Sequence, residues 1–166
     1  MYQASIPLFT RGLKVLTALL DKAEAHAKQN GIELATLVEA RLAPDMYPLS
    51  GQVQRASDAS KFAVVRLSGL TAPRFEDVET TFPELRQRIA DTVAWLESVT
   101  EAQLEGAESK TIELSWGEYK QSFHGDDYLL SFALPNFYFH ITTAYDILRH
   151  SGVPVGKLDF LGPYTR

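Results

Sequence analysis

Residues 6–31, "IPLFTRGLKVLTALLDKAEAHAKQNG", decide the fold class. Ile6, Phe9, Leu13, Leu16, Leu20, Ala23 and Ala27 recur alternately three and four apart, so all seven fall on one stripe of a helix. Lys14, Asp21, Lys22, Glu24 and Lys28 fall elsewhere around it. Proline lacks the amide that an inner turn needs, so Pro7 must lie in a first turn and the start falls near Ser5. Asn30-Gly31 supplies the stop, because glycine accepts the left-handed backbone that closes a helix. The spacing thus predicts one helix of about 25 residues, roughly twice the usual length. A stripe that long is buried by packing against other helices, as in a bundle.

Outward from that helix, "ELATLVEARLAPDMYP" reads as a connection with one short helix before Pro44. A second long helix is expected from near Pro48, with Asp45 as a candidate cap. Its stripe is Leu49, Val53, Ala56, Ser60, Ala63, Leu67 and Leu70, and the small residues in the middle allow a neighbouring helix to approach closely. Gly69 and Pro73 end it. In "TFPE", Thr81 stands as a cap, Pro83 in the first turn and Glu84 three positions beyond the cap, the pattern of a capping box. Leu85, Ile89, Thr92, Leu96 and Val99 give that third helix its inner face.

The period then changes. Ile112, Leu114 and Trp116 alternate with polar residues, and Tyr119, Gln121 and Phe123 follow Gly117, so "TIELSWGEYKQSF" predicts a short β-hairpin. Gly125-Asp126 should open a fourth helix running to about His150, kinked or broken at Pro135. Gly152 and Pro154 stop it, and the tail "VGKLDFLGPYTR" is expected to lie back over the bundle through Leu158, Phe160 and Leu161. The result is an all-α chain: one domain over residues 1–166, a four-helix bundle with a small β-hairpin before the last helix.

Composition narrows the partners. The chain has 166 residues, 45% hydrophobic and 22% charged, enough for a single substantial core. A net charge of −5 with scattered basic residues gives no footprint for nucleic acid, whose phosphates need clustered Lys and Arg. There is no cysteine, which excludes disulfides, thiolate nucleophiles and cysteine zinc sites and suits a reducing cytoplasm. The N-terminus has no signal-peptide pattern, and no apolar run reaches the ~18 residues of a membrane span. A soluble, cytoplasmic protein is expected.

Chemistry concentrates in one region. His140 lies on the stripe Ala133, Phe137, His140, Ala144, Ile147 and points inward, where an unpaired imidazole costs roughly 1 to 3 kcal/mol. Its partner is a metal, or else a carboxylate, a glutamine or a backbone carbonyl. Two histidines four apart make a metal-binding pair on a helix. The positions four before and four after His140 are Asn136 and Ala144. His150 reads as a helix C-terminal cation, His26 as solvated and His124 as a junction residue. Gln52, beside Val53 of the second helix, is placed to reach inward and hydrogen-bond His140. Asp58 and Arg66 read as surface or inter-helix pairs, and Tyr128, Tyr138 and Tyr145 as packing aromatics. No phosphate loop or nucleophile elbow is present in the sequence.

"APDMYPLSGQVQ", "DASKFAVVRLSG", the aromatic run "LPNFYFHITTAYDILRHSGV" and the ending "GKLDFLG" together resemble a bacterial family of unknown function, placed with the DinB/YfiT-like metalloenzymes. The resemblance implies a bundle wired up-down-down-up and a homodimer. It also implies a divalent metal held by three histidines, one from the second helix and two from the last. On this chain those positions fall on Gln52, Asn136 and His140, so two imidazoles are replaced by amides, which bind transition metals poorly. The expected protein is a dimeric, non-catalytic or small-molecule-binding bundle with a degenerate metal site, its pocket lined by Gln52, Asn136 and His140. The alternative is a metal-dependent hydrolase or thiol-dependent transferase holding zinc or nickel through His140 with oxygen ligands such as Asp58.

Overall fold

The computed structural model describes residues 1–162; residues 163–166, the end of the expected tail, and the side chains of Trp116 and Tyr119 lie outside the described residues. Helix α1 spans Ile6–Asn30, with Pro7 in its first turn and Gly31 at φ 64° as its left-handed stop. All seven stripe residues are buried. The short helix in the connection is α2, Leu34–Val38.

Helix α3, Leu49–Ser68, starts where expected, but Asp45 does not cap it. Pro48 occupies the cap position in extended backbone, and the Leu49 amide donates to the Ala40 carbonyl at 2.9 Å. A backbone acceptor from the preceding connection thus does part of the work of a capping side chain. Helix α4, Phe82–Glu97, opens with the capping box as read: the Glu84 amide donates to Thr81 Oγ1, and the Thr81 amide donates to the Glu84 carboxylate.

Strands β1, Thr111–Trp116, and β2, Tyr119–His124, pair antiparallel in the register Ile112↔Phe123 and Leu114↔Gln121, with Gly117 in the turn. Ile112 and Leu114 are buried, which ties the hairpin to the core. The last helix comes in three parts: α5, Gly125–Asp127; a π-helical stretch, Tyr128–Ala133; and α6, Leu134–His150. The wide π turns precede Pro135, whose missing amide and crowded ring disrupt an ordinary helical ladder. Gly125 is required where this helix begins, because a Cβ there would stand 1.9 Å from the Ala107 carbonyl oxygen.

Helix α3 packs against α6 and α4, and α1 packs against α4 and α6, so the successive long helices α1 and α3 sit diagonally across the bundle. Ala56, Ser60 and Ala63 are fully buried on the close-packed side of α3. A final helix, α7, Lys157–Leu161, returns to α1. Phe160 packs on α6, its ring 5.9 Å from Tyr145, whereas Leu158 stays 79% exposed, against the expectation that it would join the packing. Among the described residues no helix is long and apolar enough to cross a membrane.

Candidate functional site

The α3–α6 contact joins two of the residues singled out above. Gln52, in the first turns of α3, is 1% exposed. Its Nε2 donates to the Tyr47 carbonyl at 3.1 Å, and its Oε1 lies 2.8 Å from His140 Nδ1. Gly51 makes the first contact possible: a Cβ at that position would meet Tyr47 Cβ at 2.9 Å, so only glycine lets the Tyr47–Pro48 turn fold this closely onto the helix start.

That arrangement fixes a tautomer. With Nε2 of the amide committed to a carbonyl, the oxygen facing His140 is an acceptor, so Nδ1 of the imidazole carries the proton. The lone pair is left on Nε2, which has no hydrogen-bond partner among the described residues and is not sealed from solvent. Burial, and then the positive charge of Arg55, lower the pKa of His140 from 6.5 to about 4, so the ring is neutral at pH 7. Arg55 lies one turn beyond Gln52, pairs with Asp77 and with Asp58 at 3.4 Å, and has its guanidinium 5.8 Å from the Tyr47 ring centroid. Asn136, one turn before His140, is half-buried, and its side-chain amide has no hydrogen-bond partner among the described residues.

The donor set does not fit a transition metal. It offers one imidazole and two amides, and the better-placed amide oxygen is occupied by the Nδ1 proton. The guanidinium of Arg55 adds positive charge where a cation would have to sit. Among the described residues no three His, Asp or Glu side chains are grouped to hold a metal ion. His26 is half-buried and bonded to Asn30, whereas His124, which precedes α5, and His150, which ends α6, are exposed.

Sequence reasoning missed a buried ionic cluster next to this pair. Lys61 and Arg88 are 1% and 3% exposed. Arg88 donates to Asp58 at 3.0 Å and to Glu79 at 2.9 Å, and pairs with Asp77 at 3.0 Å. Lys61 lies 3.3 Å from Asp58, donates to the Pro73 carbonyl and sits 3.9 Å over the Phe75 ring. Burial pulls the Lys61 ammonium below its ordinary range, and Asp58 opposes that pull. The signal was positional: Arg88 stands three after Leu85 and four before Thr92, on the inner face of α4. The cluster pins the connection between α3 and α4 and shares Asp58 and Asp77 with Arg55.

The family described as a domain of unknown function (DUF1993) matches residues 1–161. The chain is also similar to the solved structure of a DinB family member protein from Shewanella denitrificans, at 45% identity and a TM-score of 0.91, over 99% of this chain and 94% of that one. Among curated proteins, none matches.

Proposed function

The chain belongs to the DUF1993 family, and from that premise we propose that it is a dimeric, non-catalytic small-molecule-binding protein in which a hydrogen-bonded Gln52–His140 pair stands in place of a metal centre. The 2.8 Å contact between Gln52 Oε1 and His140 Nδ1 carries this reading, because it satisfies the inward imidazole without a metal. The guanidinium of Arg55 supports it further, since its positive charge beside the ring opposes capture of a divalent cation. Exposed Tyr47, Phe62 and Phe139 offer apolar surface to a second copy. The absence of cysteine suits the bacterial cytoplasm.

Imidazole nitrogen NMR on the full-length protein tests the pair. The expected spectrum at neutral pH shows His140 with its proton on Nδ1, unchanged by one equivalent of zinc. A proton on Nε2, or ring nitrogen signals shifted by that equivalent of zinc, would favour a metal-dependent hydrolase or transferase instead.

A further inference from the structure

The connection between α3 and α4, residues 70–80, is ordered without a ladder of its own. No amide or carbonyl within it joins a backbone–backbone hydrogen bond among the described residues. None of its residues is fully buried, and only Leu70, Ala72, Phe75 and Glu79 are half-buried. Apolar burial therefore holds it weakly.

Four side chains of the helices beneath do the holding. Gln54 and Arg88 each donate to Glu79 at 2.9 Å, and Arg55 and Arg88 both pair with Asp77. Arg88 also donates to the Glu76 carbonyl at 3.0 Å and Lys61 to the Pro73 carbonyl at 3.2 Å, while the Phe75 ring lies over the Lys61 ammonium. On the helices themselves Asp58 is the carboxylate set against Arg55, Lys61 and Arg88. Asp77 and Glu79 bring the balance to three cations and three carboxylates, so the connection is bound by charge.

Its two ends can stay in place while the middle moves. Gly69, at φ 83°, closes α3 with its amide on the Val65 carbonyl, and the Thr81–Glu84 capping box closes α4. Neither helix needs residues 71–79 to finish it. Lifting that segment also returns Lys61 and Arg88 to water, which relieves their desolvation and lowers the cost of opening.

We propose that residues 70–80 form a charge-latched strap that swings off α3 and α4 as one piece while the bundle stays folded, baring Lys61 and Arg88. The strap also acts on the candidate site. Arg55, which places positive charge beside His140, is held by Asp77 when the strap is closed and keeps only the helix carboxylate Asp58 when it is open. None of this rests on the small-molecule reading above.

Limited trypsin digestion and lysine acetylation of the full-length protein test the strap together. Arg74 lies exposed within it, and Lys61, 1% exposed, lies beneath it. Rates at such sites follow the population of the open form when opening and closing are fast. The first tryptic cut is expected after Arg74, with the two pieces remaining together and far-ultraviolet circular dichroism unchanged. Glu79 is the tighter latch, its side chain 11% exposed against 44% for Asp77. Glu79→Gln should therefore speed both the Arg74 cut and Lys61 acetylation about tenfold, and Asp77→Asn should speed the cut about threefold. Glu79 does not touch Lys61 among the described residues, so acetylation there reads movement of the whole strap. A first cut inside the helices would overturn the proposal, as would rates unmoved by Glu79→Gln. A faster Arg74 cut with unchanged Lys61 acetylation would also overturn it, making the segment a fraying loop. Equal acceleration of cuts within α1 would trace the effect to global unfolding and overturn it too.

Discussion

The amide of Gln52 faces two ways, and both bonds depend on its orientation. Its nitrogen meets the Tyr47 carbonyl and its oxygen meets the His140 ring, so reversing the amide would set oxygen against oxygen at Tyr47. Neutral His140 in turn gives stability a pH dependence. The unfolded ring takes up a proton near its ordinary value of 6.5, whereas the folded ring resists protonation until about 4. Protons therefore bind preferentially to the unfolded chain across that window, and stability falls as pH drops through it. Urea midpoints measured from pH 7 to pH 4 should decline more steeply for the native protein than for His140→Asn. The excess is expected to be roughly 1 to 2 kcal/mol, because solvent reaching the ring screens part of the full shift. Parallel curves would show that His140 is not the titrating group. The Gln52–His140 bond was legible because each residue lies on or beside an inner stripe. Lys61 and Arg88 were not read as buried, since charged residues are buried only when paired, and their partners Asp58, Asp77 and Glu79 are spread over one helix and the connection that follows it.

Helices α1 and α6 pack closely at a glycine. A Cβ on Gly12 would stand 2.5 Å from the Phe137 ring, which is fully buried and packs edge-on against Phe9 at 5.0 Å. Two effects oppose each other in Gly12→Ala. Alanine favours the helix by about 1 kcal/mol, whereas overpacking a closed core costs about 1 to 3 kcal/mol. Phe137 is fully buried between the Phe9 and Tyr138 rings, so the clash wins, and thermal denaturation should show Gly12→Ala less stable by ~1 to 2 kcal/mol. A gain in melting temperature would mean that the two helices adjust more freely than their packing indicates. Element boundaries were readable wherever proline or glycine marks them, as at Pro7, Gly31, Gly69 and the Thr81 capping box. The π-helical stretch was anticipated only as a disturbance at Pro135, because spacing cannot tell a kink from a widened turn. The false cap at Asp45 arose from the same source: the Ala40 carbonyl that meets the α3 amide is a backbone group, invisible in a pattern of side chains.

Across the whole molecule, the four-helix bundle and its hairpin follow from the stripes, and nearly all of those residues are buried. The long connection between α3 and α4 is held down by Arg88 and Lys61 through the Pro73 and Glu76 carbonyls and the Phe75 ring, so its order comes from buried charge rather than from turn chemistry. That cluster places Asp77 against Arg55, and Arg55 in turn keeps positive charge beside His140. The intact chain is thus arranged so that its inward imidazole is bonded to an amide and flanked by a cation. The direct test is the metal content per chain of protein purified without chelator. The expected value is well below one equivalent of zinc or nickel and no different in His140→Ala. One equivalent retained through purification and lost in His140→Ala would contradict the account.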